Sequence, residues 1–120
     1  MVDPKKVALR IRAQNENERR ELELRRSRAQ ELGHELARDI IHAHPEAGRV
    51  WGFGSAFETW RSFRMTSDID LAVEAGDVSA IWKMVEGRGF PVDVVDLSSC
   101  RESMTDFIRA QGVVLAQAGA

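Results

Sequence analysis

The chain has 120 residues, of which 43% are hydrophobic and 30% charged, and its formal net charge is -2. This length corresponds to about one domain with one modest core, and the composition excludes wholesale disorder. The small net charge gives no electrostatic reason to expect a nucleic-acid-binding or membrane-surface protein. No apolar run approaches the length of a bilayer, and the only cysteine, Cys100, cannot form an internal disulfide. We therefore expect a cytoplasmic protein without a membrane segment.

The first third of the chain is rich in Glu, Arg, Gln and Ala and predicts one long helix. Its apolar residues recur at helical spacing and form one stripe: Leu22, Ala29, Leu32, Leu36, Ile40 and Ala43. Pro45 and Gly48 are expected to end the helix. Residues 12–21 contain no large apolar side chain, so they form either a solvated extension or a partner-binding surface. The chain thus divides into a long charged helix, residues 1–47, and a core, residues 48–120.

Beyond this helix, strand and helix patterns alternate, which predicts an α/β fold with a small mixed sheet flanked by helices. Three segments predict strands: "RVWGF" (49–53), "SDIDLAVEA" (67–75) and "PVDVVDL" (91–97). In the second strand the residues alternate between two faces. One face carries Ile69, Leu71 and Val73, and the other carries Asp68, Asp70 and Ala72.

Helices are predicted between and after these strands. "SAFETWRSF" (55–63) can begin a helix with Ser55 near its N-cap, and Asp77 can cap a second one. Ser99 and Glu102 have capping-box spacing for a last helix. The apolar residues expected on that last helix are Met104, Phe107, Ile108 and Leu115.

The two aspartates of the second strand are candidate metal ligands. Asp68 and Asp70 lie on one face, about 7 Å apart along the strand, and two uncompensated carboxylates at that separation repel each other. Mg²⁺ removes the conflict, because it prefers carboxylate oxygen and phosphate. The third strand adds Asp93 or Asp96, which point to opposite faces, so that only one can join the site. Three carboxylates from two strands would hold two metal ions for in-line phosphoryl displacement.

A glycine turn precedes these aspartates. Gly52, Gly54 and Ser55 end the first strand, and a strand that ends in such a turn offers backbone N–H groups suited to phosphate. Glycine lets the backbone approach closely, and the Ser55 hydroxyl can donate to a phosphate oxygen. Trp60 lies shortly after the turn and is a second-rank candidate for lining the same pocket.

Together these motifs resemble the minimal nucleotidyltransferases of the DNA polymerase beta superfamily. The resemblance consists of "GFGS", twelve residues, "DIDLAV" and then "VDVVDL", with a tail "FIRAQGVVL", and it covers residues 49–115. It implies the nucleotidyltransferase fold, with Gly54 and Ser55 holding the nucleotide triphosphate. The catalytic, metal-binding carboxylates that it implies are Asp68, Asp70 and, as the third member, Asp93.

The resemblance also implies substrates and partners. Many members of that family are antitoxins that pair with HEPN-domain toxins and transfer AMP from ATP to a toxin tyrosine. We therefore expect Mg²⁺, ATP and a HEPN-type partner, with a homo-oligomer also possible. The chain contains no tyrosine, so such an acceptor would lie on another molecule.

The chain departs from the family pattern directly after Gly-Ser. Family members usually continue with a small residue and then Ala-Arg-Gly, whereas this chain reads Ala56, Phe57, Glu58 and Thr59. The missing cation can be replaced by Arg61 or Arg64, because guanidinium suits phosphate, although both are equally well explained as surface charges on a helix.

Two other functions fit the same sequence. One is a non-catalytic protein that neutralises its partner by occlusion through the long helix, which the altered "SAFET" segment favours. The other is transfer to an antibiotic or another small metabolite, which would need an acceptor pocket supplied by a dimer.

Overall fold

The structure of the protein is a computed structural model that describes residues 2–119. Helices and strands follow in the order α1 (Pro4–Ala43), β1 (Arg49–Phe53), β2 (Ile69–Val73), α2 (Val78–Val85), β3 (Val92–Asp96), α3 (Glu102–Gln111) and β4 (Val113–Gln117). Short 3-10 turns occupy Pro45–Ala47 and Leu97–Ser99. The expected mixed α/β class and the long N-terminal helix are confirmed.

The four strands form one mixed sheet in the order β3-β2-β1-β4. β1 is antiparallel to both β2 and β4, whereas β2 and β3 run parallel. In this register Asp70 lies opposite Phe53 of β1 and opposite Asp93 of β3. Since directly paired residues share a face of the sheet, Asp70 and Asp93 lie on the same side.

The two faces of the sheet are covered differently. The face that carries Val50, Leu71 and Val73, called the packed face here, joins the main core with residues of α1 and α2. The opposite face carries Trp51 and Ala72, which pack with Leu97 and Ile108 in a smaller cluster. Asp70 and Asp93 belong to this second face, called the acidic face here.

Helix α1 begins where Asp3 accepts a hydrogen bond from the Lys5 N–H, with Pro4 as its first residue. Its inner part packs on the sheet through a buried stripe: Ala29, Gly33, Leu36, Ala37 and Ile40. Residues 8–21 are exposed without exception. This outer part projects from the domain and gives the molecule extents of 66 × 29 × 24 Å.

No helix follows Ser55, so that expectation was wrong. The N–H groups of Phe57 and Glu58 both donate to the carbonyl of Gly54, which closes one turn. The chain then continues without regular structure to β2. Side-chain contacts hold the segment in this conformation and are described with the site below.

The last predicted helix is also corrected. α3 ends at Gln111, and Leu115 lies in strand β4 instead of on the helix. The N-cap is Arg101 with no side-chain hydrogen bond, so the capping box predicted from Ser99 is absent. Gly112 caps the helix with an N–H that donates to the carbonyl of Ile108 at 2.7 Å, and a Cβ added there would collide with that carbonyl.

None of the helices formed by residues 2–119 combines the length and the apolar character needed to cross a lipid bilayer.

Candidate functional site

Asp70 and Asp93 are brought together by the parallel pairing of β2 and β3, in which they are register partners. Asp68 precedes β2 by one residue and is half-buried. Asp96 belongs to the opposite face, and its carboxylate accepts hydrogen bonds from the N–H and the hydroxyl of Ser98 at 2.9 and 2.6 Å. The strand alternation therefore assigns Asp93, and not Asp96, to the face that carries Asp70.

The carboxyl group of Asp70 carries the electrostatic signature of the site. Its pKa is raised from 3.8 to about 6, first by burial and then by the nearby carboxylates of Asp93, Asp68 and Glu58, in that order. The Arg61 guanidinium acts in the opposite direction. Other carboxylates oppose the ionisation of Asp70, so a nearby cation would stabilise its ionised form.

The donor set suits magnesium by its chemistry, because it offers carboxylate oxygens and an excess of negative charge. As the side chains stand, however, no group of three or more His, Cys, Asp or Glu residues between positions 2 and 119 is arranged to hold a metal ion. The fit of Asp68, Asp70 and Asp93 to magnesium therefore rests on their charge and chemistry, and the carboxylates would have to converge on the ion.

The Gly54 turn lies directly against Asp70. Gly54 has φ +72°, and a Cβ added to it would collide with the Asp70 carboxylate oxygen Oδ2. Only glycine meets both conditions without strain, because it tolerates the left-handed region and leaves room for the carboxylate. The turn and the acidic pair thus form one continuous surface at the end of β1.

One backbone donor of this turn, the Ser55 N–H, is available to a ligand. Within the part of the chain that the structure describes, the N–H groups of Ser55 and Ala56 donate to no protein acceptor, but Ala56 is completely buried. The Ser55 side chain is half-buried beside them. A free N–H group at a glycine turn is a donor that an anion can use.

The N–H of Gly54 itself is occupied by Glu58. This side chain is 2% exposed, and its Oε2 accepts from the Gly54 N–H at 2.5 Å and lies 3.3 Å from Arg61 Nε. Its other oxygen, Oε1, is buried without a hydrogen-bond partner. The sequence identified Glu58 only as a departure from a motif. The signal that could have found its role is an acidic residue placed between a glycine turn and two strand aspartates.

Helix α1 holds the backbone of this segment. Gln30 donates to the carbonyl of Ala56 at 2.7 Å, and Arg26 donates to the same carbonyl at 3.4 Å and to the carbonyl of Glu58 at 3.0 Å. These contacts, together with the Glu58 side chain bound to the Gly54 N–H, hold the segment in its irregular conformation.

Of the other residues predicted to bind the nucleotide, some lie in the site and others do not. Gly52 lies inside β1, and a Cβ added there would collide with the ring of Phe57, so its lack of a side chain serves packing. Arg61 is in the site, beside Glu58 and over the ring of Trp60 at 4.7 Å. Arg64 is exposed, and its backbone N–H donates to the Ser67 hydroxyl. Trp60 is 63% exposed and stands at the edge of the site.

A surface recess of about 610 Å³ lies at the other end of the strands, away from the acidic pair. Its floor contains Glu74, which accepts from Arg109 at 2.6 Å and from the Trp51 ring N–H at 3.0 Å. The recess is lined by Gly48, Arg49, Glu74, Arg109, Gln117 and Ala118. None of the predicted site residues belongs to this lining, and two of its charged groups, Glu74 and Arg109, already pair with each other.

Comparison with known proteins adds no assignment. No family model matches the sequence, and no curated protein matches it.

Proposed function

We propose that this chain is a magnesium-dependent enzyme of the nucleotidyltransferase fold, which transfers AMP from ATP to a hydroxyl group of a partner protein. The observation that carries the proposal is the pairing of Asp70 with Asp93 beside the Gly54 turn. Phosphoryl transfer needs this combination, because carboxylates hold divalent cations while glycine-turn N–H groups bind phosphate oxygens.

The turn would bind the triphosphate. The N–H group of Ser55, which lacks a protein acceptor, would donate to a phosphate oxygen, and the Ser55 hydroxyl would add a second donor. The Arg61 guanidinium lies 3.3 Å from the Glu58 carboxylate at this turn, and it would pair with the phosphate charge.

The acidic face would supply the chemistry. Two magnesium ions held by Asp68, Asp70 and Asp93 would polarise the α-phosphate and stabilise the leaving pyrophosphate. Asp93 is exposed, whereas Asp68 and Asp70 are half-buried. An incoming hydroxyl group would therefore meet Asp93, which would orient it or accept its proton.

The acceptor is proposed to belong to another protein. The chain has no tyrosine, and a single small domain leaves little room for an acceptor pocket of its own. The projecting outer part of α1 offers an exposed surface on which a partner could be held. By the family resemblance, we propose a HEPN-type toxin as that partner.

The test is transfer of label from ATP carrying a labelled α-phosphate to the protein encoded by the neighbouring reading frame, in the presence of magnesium. We expect Asp68→Asn and Asp70→Asn to abolish labelling, because each removes a negative oxygen ligand. Wild-type labelling by either variant would contradict the metal mechanism.

The matched control for the acidic face is a second aspartate of the same strand, β3. Asp93→Asn changes the acidic face and should lower transfer strongly, whereas Asp96→Asn changes the opposite face and keeps an oxygen that can accept from Ser98. We expect Asp96→Asn to label the partner as the unmodified protein does. Equal loss in both variants would indicate a folding defect instead of a chemical role.

A second function is favoured by Glu58, whose carboxylate fills the Gly54 N–H that a phosphate would otherwise use. In that case the chain would neutralise its partner by occlusion, without catalysis, and the outer part of α1 would supply the contact. Neutralisation of the partner that persists in Asp70→Asn, with no label incorporated, would favour this function over transfer.

A further inference from the structure

Glu58 makes contacts that resemble those of a bound phosphate. Its Oε2 accepts from a backbone N–H of the glycine turn and faces the guanidinium of Arg61. A glycine-turn N–H and an arginine are the donors that typically bind phosphate oxygens. The carboxylate therefore occupies the position that the turn offers to an anion.

The position of this side chain is unfavourable by itself. Glu58 is 2% exposed and Oε1 has no hydrogen-bond partner, and a buried carboxylate oxygen without a donor costs free energy. The acidic face increases this free-energy cost, because the negative charge of Glu58 lies close to Asp70. The two donors to Oε2 hold the side chain in place.

The backbone at this point does not depend on the side chain. Arg26 holds the carbonyl of Glu58, and Gln30 holds that of Ala56, so α1 fixes the segment from outside the site. Arg61, the ion-pair partner, is 42% exposed at its side chain. The Glu58 carboxylate can therefore leave both the Gly54 N–H and Arg61 while the turn keeps its shape.

We propose that Glu58 is an affinity-determining residue that competes with the triphosphate for the Gly54 N–H and for Arg61. This inference rests on the proposed nucleotide site and adds its regulation. A triphosphate binds by displacing the carboxylate, after which the Gly54 N–H and Arg61 donate to phosphate oxygens. Nucleotide affinity is accordingly weakened by an internal anion.

The test compares the binding of ATP and of inorganic tripolyphosphate, each with magnesium, by titration calorimetry. Glu58→Gln removes the charge at nearly constant volume, and Glu58→Ala removes the competing acceptor. We expect both variants to bind either probe about tenfold more tightly, the scale of one charge-assisted hydrogen bond. Glu86→Gln, an exposed glutamate on the surface, is the matched control and should bind as the unmodified protein does.

A second readout follows the Gly54 amide proton by NMR without any catalytic turnover. In the unmodified protein this proton should report its bond to Glu58, and it should move on addition of tripolyphosphate. In Glu58→Ala the free-state signal should shift, while the tripolyphosphate-bound signal should match that of the unmodified protein. A residue that merely supports the fold would not make the bound signals converge.

The outcomes separate this inference from the proposed function. Equal or weaker binding by both Glu58 variants, with clear ATP binding by the unmodified protein, would overturn the competition and leave the nucleotide site intact. Absence of binding in the unmodified protein and in both variants would overturn the nucleotide site and the inference with it.

Discussion

The two faces of the sheet use the same strand for opposite purposes. On β2, Leu71 and Val73 are fully buried on the packed face, whereas Asp70, between Ile69 and Leu71, belongs to the acidic face. The side-chain period of two makes this division possible, and a register shift of one residue would exchange the two sets. A core and a site can therefore share five residues, provided that the pairing with both neighbouring strands is fixed.

The largest expected loss of stability comes from shortening a buried side chain on the packed face. Leu71→Ala should lower the free energy of unfolding by about 3 kcal/mol, because it removes buried methyl groups and leaves a cavity beneath α1. Urea unfolding followed by circular dichroism measures this loss. A loss below about 1 kcal/mol would show that the packed face is less closely filled than its burial indicates.

The next largest effect is expected from alanine substitution at Gly54, which tests the contact between the glycine turn and the acidic face. Gly54 and Gly87 have nearly equal φ values, +72° and +69°, but only Gly54 has a neighbour within reach of an added Cβ. Gly87→Ala should cost about 1 kcal/mol from backbone strain alone. Gly54→Ala should cost about 2 to 3 kcal/mol, because it also displaces the Asp70 carboxylate.

The comparison of these two alanine variants, by urea unfolding under identical conditions, isolates the collision with Asp70. If both variants lose the same stability, the turn does not press against the acidic face.

The smallest effect concerns the charge on the acidic face. The pKa of Asp70 is raised from 3.8 to about 6, so the folded protein binds this proton more tightly than the unfolded chain does. The contribution of Asp70 to stability is therefore full below about pH 4 and is lost as the pH rises through about 6. Asp70→Asn should remove this loss and be more stable by about 1 kcal/mol at pH 8, since part of the carboxyl faces water.

Thermal or urea unfolding at pH 4 and pH 8 measures the difference, which should shrink at the lower pH. An Asp70→Asn variant that is less stable than the unmodified protein at pH 8 would mean that the ionised carboxylate is already compensated. Added magnesium should reduce the difference at pH 8, because it stabilises the ionised form.

The sequence could predict the faces of β2, since alternation of apolar residues with aspartate is local information. It could also predict the cap of α2, where Asp77 accepts from the N–H of Ala80 at 3.2 Å. In the same way, the opposite directions of Asp93 and Asp96 followed from strand geometry.

The segment after Ser55 could not be predicted in the same way. Its conformation depends on Arg26 and Gln30, which come from a distant part of the chain, and on Phe57, whose ring lies against Gly33 of α1. Local propensity favours a helix there, but these tertiary contacts hold the segment in another conformation.

Strand β4 was missed for a different reason. Leu115 is expected on the last helix, whereas α3 ends at Gln111 and Gly112 separates it from the strand that begins at Val113. The β-branched pair Val113 and Val114, directly after a glycine, is the signal that could have identified the strand.

The length of α1 sets a condition on any molecule that contacts its outer end. Arg26 touches the glycine-turn segment, and Pro4 lies about 33 Å away along the helix axis, at about 1.5 Å per residue. A binding partner that contacts the outer end of α1 and also presents a hydroxyl group to Asp93 must extend over roughly this distance. Short peptides in compact form are too small for both tasks, which points to a folded domain at least as wide as this one.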